Sequence, residues 1–352
     1  MAGPALAGLI ASTEPAALPY LGAVLNPPDG LRTDMLAAAL SAGWGLDVTS
    51  AEYLALGFGS HHWAIATVGG GRWFVTADEL PVKRRSLAEP LDVVFGRLGA
   101  SLATAIDLSD LGMAFVVAPV STMAGEPLVR LTSRFAVALY PFLCGQSFEW
   151  GDFDTKAHRQ VVLDFVVALH TAPEPARRRA VTDDLGIAHR DELDAVLDTA
   201  ADAASGPYGQ KTVELIAAHE ASIHRLLARY DALAAQVRSG STPTVLTHGE
   251  PHRANTMRTS AGWKLIDWDT AAVAPPERDL CNLDPGDGSI FAGYRQATGV
   301  TPRPEALELF RLRWDLADIA ITVSQFLAPH SGDANDDESF DLLHALLAKI
   351  SR

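Results

Sequence analysis

Short runs of alternating apolar and polar residues mark the first part of the chain. Residues 31–43 carry Leu31, Met35, Leu36 and Leu40 at helical spacing and predict one helix. From Val48 the period shortens to two. Glu52–Leu56 and Trp63–Thr67 read as strands around the turn Gly57-Phe58-Gly59-Ser60, and Gly69-Gly70-Gly71 turns the chain into a third strand, Arg72–Thr76. Glycine-joined short strands imply an antiparallel meander. A helix over Leu91–Ala105 follows. Two further strands are expected at Ala114–Val120 and Leu131–Leu143, separated by the turn Ala124-Gly125-Glu126-Pro127. The first ~140 residues therefore predict a five-stranded antiparallel sheet with one helix inserted after the third strand.

The remainder has helical periodicity, with candidate helices at 155–171, 189–203, 210–238, 304–328 and 338–350. The exception is Thr244–Asp269, where short apolar strands flank a polar loop. The fold class is α+β, with two unequal lobes: residues 31–140 as the sheet lobe, 141–145 as the linker and 146–352 as the larger, mainly helical lobe. Residues 1–30, rich in Ala, Pro, Gly and Leu, read as an extension over the first lobe. A cleft between unequal lobes is a common ligand site.

Composition narrows the chemistry. The chain has 352 residues, 48% of them hydrophobic and 20% charged, which is enough apolar mass for a packed core. With 28 Lys and Arg against 43 Asp and Glu, the formal charge is −15. Nucleic acids and anionic membranes attract a positive field, so neither is an expected partner, whereas a cationic small molecule is compatible. The two cysteines, Cys144 and Cys281, form no disulfide framework and no metal spacing. The first basic residue is Arg32, and no apolar run reaches the ~20 residues of a membrane span, so a cytoplasmic protein is expected.

The informative segment is Val245-Leu246-Thr247-His248-Gly249-Glu250-Pro251-His252-Arg253-Ala254-Asn255, followed by Leu265-Ile266-Asp267-Trp268-Asp269. A strand delivers a polar loop, a tight hairpin turns, and a second strand delivers a carboxylate. Oxygen donors of this kind suit Mg²⁺, which takes one or two carboxylates or amides together with waters and substrate phosphates. Asp267 would chelate the ion, Asn255 would complete its shell, and Glu250 would accept or orient an attacking hydroxyl. Phosphoryl transfer passes through a loose transition state, so positioning and charge neutralisation outweigh strong base chemistry. Zinc is disfavoured: Gly249 and Pro251 prevent the helix that would set His248 and His252 on one face.

His-Gly-Glu-x-x-x-x-Asn, Ile-Asp-Trp-Asp and Pro276-Glu277-Arg278-Asp279-Leu280 together resemble the aminoglycoside phosphotransferase and choline kinase family, whose bilobal fold is protein-kinase-like. The Trp268–Leu280 stretch is most similar to its spectinomycin-phosphotransferase-like antibiotic kinases. The resemblance spans about residues 45–330 and implies a catalytic loop at 246–257 and a metal-binding segment at 265–269. It implies that Glu250 stands at the catalytic acid position, His248 braces the loop, Asn255 and Asp267 hold Mg²⁺, and Asp279 hydrogen-bonds the loop. Gly57, Gly59 and Ser60 would turn over the nucleotide phosphates, and Tyr140–Leu143, including Phe142, would receive the purine. Two departures stand out. Glu250 occupies a position where the family usually has Asp. The third-strand lysine that pairs with nucleotide phosphates is replaced by Thr76, the nearest cations being Arg72, Lys83, Arg84 and Arg85.

Other residues carry blander expectations. His170 reads as a helix-end or core histidine, His61 and His62 as solvent-facing turn residues, and Arg177-Arg178-Arg179 as a solvated edge. Asp269 is assigned a supporting place beside Asp267. Asp315 and Asp318, on one face of a late helix, are surface acids or, with Asp269, acceptor contacts. The function implied is transfer of the γ-phosphoryl of ATP or GTP to a hydroxyl of an antibiotic of aminoglycoside, aminocyclitol or nucleoside type. A sugar, amino-alcohol or choline-like metabolite kinase is the alternative within enzymes. A catalytically weak nucleotide-binding protein is the alternative outside them, motivated by Thr76 and Glu250.

Overall fold

The computed structural model describes residues 26–57, 59–199, 206–240 and 243–351. Most of the N-terminal extension, Phe58 and the end of the helix expected at 189–203 lie outside the described residues. The sheet lobe holds α1 (Thr33–Trp44), β1 (Val48–Leu54), β2 (Ser60–Thr67), β3 (Arg72–Glu79), α2 (Leu91–Asp110), β4 (Val129–Arg130) and β5 (Phe135–Pro141). Next come β6 (Gly145–Ser147), α3 (Lys156–His170), β7 (Val181–Thr182), α4 (Arg190–Thr199) and α5 (Gly209–Ser239). Four short strands follow, β8 (Val245–Thr247), β9 (Thr256–Thr259), β10 (Gly262–Leu265) and β11 (Ala272–Ala274). The chain ends in α6 (Glu277–Leu280), α7 (Ser289–Thr298), α8 (Pro304–Leu327) and α9 (Ala334–Ile350).

The five-stranded sheet has the order β1-β2-β3-β5-β4 and is antiparallel throughout. Period-two alternation gives it two apolar faces of different use. Trp63, Ile65, Val75, Val137 and Leu139 pack with Leu36 and Leu40 of α1. Leu40 is fully buried, and Leu40→Ala would cost about 2–5 kcal/mol. On the opposite face Ala136 and Ala138 receive Val94, Leu98 and Leu102 of α2. The small alanines let that helix approach closely. Beyond α2 the same face carries His62, Phe74, Thr76 and Asp78, by the register of β2 with β3.

One expected strand is absent as such. Residues 114–120 are irregular; Val116 makes a lone parallel bridge to Leu265, and Val117 N–H donates to the Leu265 carbonyl at 3.1 Å. Their apolar character comes from burial at the lobe junction, where Val116 meets Leu108, Leu246, Leu265 and Trp268. The fourth strand is instead the two-residue β4.

After Pro141 the chain enters the second lobe, where β6 pairs with β9. Gly145 is needed there, because a Cβ would lie 2.6 Å from the Arg258 carbonyl oxygen. The large core of this lobe packs Ile216, Ile223 and Leu227 of α5 against Leu309, Leu316 and Ile319 of α8. Their three-, four- and seven-residue spacings form one apolar stripe on each helix. Among the described residues, no helix is long and apolar enough to cross a membrane.

Candidate active site

β8 runs directly into the loop 248–255. Gly249 has φ +103°, and a Cβ there would lie 2.5 Å from the Arg278 guanidinium, so the turn has room for glycine alone. Asp279 holds the loop from below. Its carboxylate accepts the backbone N–H groups of His248 at 2.9 Å and Gly249 at 2.7 Å. It also accepts His170 Nε2 at 3.1 Å, while His170 Nδ1 pairs with the Tyr294 hydroxyl at 2.8 Å. Burial opposes ionisation of Asp279, yet His170 and Arg278 keep its pKa below the ordinary carboxylate value. His170 is thus a core histidine at the end of α3 that also positions the loop.

His248 Nε2 donates to the Ile266 carbonyl at 2.9 Å, and its Nδ1 accepts Glu250 N–H at 3.2 Å. Burial lowers its pKa to about 4, so the ring is a neutral strut between the loop and the segment after β10 that carries Asp267. Arg278 donates to Thr247 Oγ1 at 2.8 Å and to the Thr270 carbonyl at 2.9 Å, and pairs with Asp183 at 3.1 Å. Burial disfavours the Asp183 charge, but Arg313 and Arg278 outweigh it and bring the carboxyl to about 2.

Asn255 Nδ2 donates to the Glu250 carbonyl at 3.0 Å and lies 3.3 Å from His252 Nε2. Its Oδ1 is left without a donor among the described residues. Ile266 N–H donates to the Asn255 carbonyl at 2.9 Å, which sets Asp267 beside the loop. Asp267 has φ +68°, a left-handed backbone uncommon for a residue with a Cβ, and its side chain is accessible from the cleft. Crowding by the surrounding protein, then by Asp269 and Glu250, pushes its pKa well above the usual range. Asp269 goes the other way. Burial would raise it, but Lys83 holds it below its ordinary value.

The sheet lobe meets this carboxylate pair through a relay. Ser60 Oγ donates to Asp78 Oδ1 at 2.6 Å. Lys83 Nζ lies 3.0 Å from Asp78 and 2.5 Å from Asp269. Gly57 and Gly59 have φ +66° and +74°, with nothing within 4 Å of a Cβ at Gly59. The Tyr140 phenol is raised well above its usual pKa by burial, then by Asp78, Asp267 and Asp269. The Arg72 guanidinium lies 4.0 Å over the ring of Phe142. His61 and His62 correct their expectation: both belong to β2 and are shielded. His62 stacks on Phe74 at 5.1 Å, and burial takes it to about 4. His61 lies 3.1 Å from the Tyr53 hydroxyl.

On the far side of Glu250 lies a small mixed wall. His252 Nε2 is 3.6 Å from the Glu250 carboxylate, and its ring meets Trp150 edge-on at 4.1 Å. Trp314 is 6.1 Å from Trp150. Asp318 is partly buried, and burial, then Glu250 and Asp315, raise it to about 7. Asp315 is held by Lys349 at 2.8 Å. The expected arginine edge is only partly solvated, since Arg177 donates to the Thr244 carbonyl and Arg179 pairs with Asp107.

Residues 102–310 match the APH phosphotransferase enzyme family, more than half of the chain. The chain belongs to this family. It is 29% identical over 262 residues to the protein StrN of Streptomyces griseus, covering 70% of this chain and 76% of that one. Spectinomycin phosphotransferase in complex with ADP and spectinomycin superposes with a TM-score of 0.66 at 16% identity, covering 92% and 98% of the two chains. The choline kinase LicA of Streptococcus pneumoniae superposes with a TM-score of 0.53 at 12% identity over 90% and 98%. These likenesses confirm the α+β, kinase-like fold, and family membership makes the chain a phosphotransferase acting on hydroxyl groups.

Within such a phosphotransferase the donor set around Asp267 fits Mg²⁺. One accessible carboxylate and one free amide oxygen leave most of an octahedral shell to water and phosphate. Among the described residues no group of three or more His, Cys, Asp or Glu side chains could hold a metal ion by itself. Asp78, Lys83 and the Trp150–Trp314 pair were not legible as site residues. They lie outside any contiguous motif, and Lys83 carried a signal only as one of the cations near the missing third-strand lysine. His252 lies inside the motif, but was weighed only as a disfavoured zinc ligand.

Proposed function

We propose that this chain transfers the γ-phosphoryl group of ATP or GTP, with Mg²⁺, to a hydroxyl of a small polar molecule. An amine-bearing antibiotic of aminoglycoside or aminocyclitol type leads, with the nucleoside type also in that class. The observation that carries this reading is that Glu250 and Asn255 share a loop held by Asp279, and that the Ile266–Asn255 backbone bond ties Asp267 to that loop. Asn255 Oδ1 and Asp267 would hold the Mg²⁺, whose charge neutralises the phosphates when bound. Glu250, the longer carboxylate, would orient the acceptor hydroxyl and take its proton. Gly57, Gly59 and Ser60 would lie over the phosphates, and Tyr140 and Phe142 beside the purine.

Glu250, Asp315 and Asp318 beside Trp150 and Trp314 support a cationic acceptor. Phosphorylation adds negative charge to such a compound and blocks a hydroxyl, giving resistance or self-protection. The same tryptophan pair supports a second reading, a kinase of a small amino alcohol, because an aromatic wall with a carboxylate also suits a simple or quaternary amine. A coupled nucleotide-consumption assay tests both. ATP and GTP are paired separately with a panel of antibiotics and amino alcohols, with Asp267→Ala as control. Acceptor-dependent turnover, lost in the variant, is expected. A chain that consumes no nucleotide with any acceptor, yet binds nucleotide, would turn the reading toward a nucleotide-binding protein without transfer.

A further inference from the structure

We infer that Lys83, on the turn after β3, supplies the nucleotide phosphates with the positive charge that Thr76 cannot provide; this rests on the kinase reading above. Among the described residues, Lys83 is the one lysine or arginine paired with Asp78 or Asp269. Two of the other nearby cations are engaged elsewhere, Arg72 over Phe142 and Arg85 with Asp184. Thr76 pairs with Ala138 in the middle of the sheet and lies two residues from Asp78 on the same face. The third strand therefore presents a carboxylate near the place of the missing ammonium, and Lys83 reaches back to it.

The geometry suits a ligand contact as well as an ion pair. An ammonium has three donors. Asp269 accepts one at 2.5 Å, Asp78 lies 3.0 Å away as an ion pair, and donor capacity is left for an incoming oxygen. The side chain keeps 17% of its surface exposed. Through Ser60 and Asp78 it connects the glycine turn to the segment of Asp267 and Asp269. A group between those two elements lies where phosphates must pass if the turn covers them.

The lysine is also preorganised. Arg97 of α2 donates to the Lys83 carbonyl at 2.8 Å and pairs with Glu89. Farther along the same loop, Leu87 N–H donates to Glu192 at 2.5 Å, and His189 N–H donates to the Arg85 carbonyl at 2.5 Å. Both lobes thus fix the segment that carries the charge, and a fixed charge stabilises a phosphate without reorganising. Helix α2 contributes an arginine to the lysine's backbone rather than a carboxylate to its side chain.

The competing role is a clamp between lobes, and nucleotide binding separates the two. Titration calorimetry of the full chain would use ATP or GTP, whichever binds, and the matching nucleoside, in Mg²⁺. Lys83→Met is expected to weaken the triphosphate by at least about 30-fold and to leave nucleoside affinity within about two-fold. Lys83→Gln, which keeps a hydrogen bond to Asp269 without the charge, carries the same expectation should the methionine variant not fold. Thr76→Lys added to Lys83→Met is expected to recover about 10-fold. Unchanged triphosphate binding in the Lys83 variants overturns the inference and leaves the kinase reading intact. Equal loss of triphosphate and nucleoside assigns Lys83 to the clamp and overturns it as well. A parent chain that binds neither overturns the kinase reading and this inference together.

Discussion

The two sides of the cleft are built differently. On the helical side, one contiguous stretch supplies His248, Glu250 and Asn255, and a buried network of Asp279, His170, Arg278 and Asp183 fixes it. On the sheet side, single residues from separate places meet: Ser60 from β2, Asp78 from β3, and Lys83 from a loop. The first side is held by its own lobe. The second depends on the other lobe, because Lys83 has one of its two carboxylates on the far side of the cleft. The helical side is therefore set by the packing of its own lobe, while the sheet side is set only where the two lobes meet.

The largest effect expected from breaking this contrast is at Asp279. Asp279→Ala leaves the His248 and Gly249 N–H groups and the His170 ring without their buried acceptor. Removing one partner from such a network costs about 3–5 kcal/mol, read as a lower denaturant midpoint with an unchanged slope. Lys83→Met should cost less, since that side chain keeps 17% of its surface exposed.

Next comes Asp267→Asn, which separates chemistry from stability. Asparagine tolerates the left-handed backbone and removes the repulsion from Asp269 and Glu250. The variant should be at least as stable as the parent in thermal melts without divalent cation, while turnover falls by about 10²–10³-fold or more. Parallel loss of both would show that Asp267 serves the fold rather than the reaction.

Smaller again is the contrast between two glycines. Gly249→Ala meets both a positive φ and the Arg278 guanidinium at 2.5 Å, so about 1–3 kcal/mol of backbone strain is joined by a displaced arginine. Gly59→Ala meets nothing within 4 Å and should cost only the left-handed backbone term of about 1–2 kcal/mol. Comparing the two melts measures how tightly each side is packed.

These contrasts also explain what the sequence could reveal. The glycine turns and apolar alternation made the antiparallel sheet legible, because local periodicity reports which face is buried. They misassigned residues 114–120, since an apolar run at a lobe junction looks like one in a sheet; only the contact with Leu265 and Trp268 distinguishes them. His-Gly-Glu-x-x-x-x-Asn was legible because its spacing is local. Asp78 and Lys83 were not assigned, because what places them beside Asp269 is the approach of two lobes across 186 residues of chain. His62, set in a turn by its glycine neighbours, is a strand residue whose stacking on Phe74 leaves no local trace.

The gentlest probe is pH, acting through Asp318, which the proposed function sets at the acceptor wall. Its carboxyl titrates near 7 in the folded chain and near 3.8 when unfolded. Between those values the folded protein retains a proton that the unfolded chain has released, so this group makes stability fall as pH rises, by at most about 1.4 kcal/mol per pH unit. The contribution is lost in Asp318→Asn, whose stability relative to the parent should rise from pH 4 toward pH 7 and then level off. An amine-bearing acceptor reverses the preference, because it stabilises the carboxylate. Acceptor KM in the parent should then improve as pH rises through about 7, and the asparagine variant should lack that step. If both proteins show the same KM profile, the acceptor's charge is read elsewhere, and the tryptophan pair becomes the remaining candidate for recognising it.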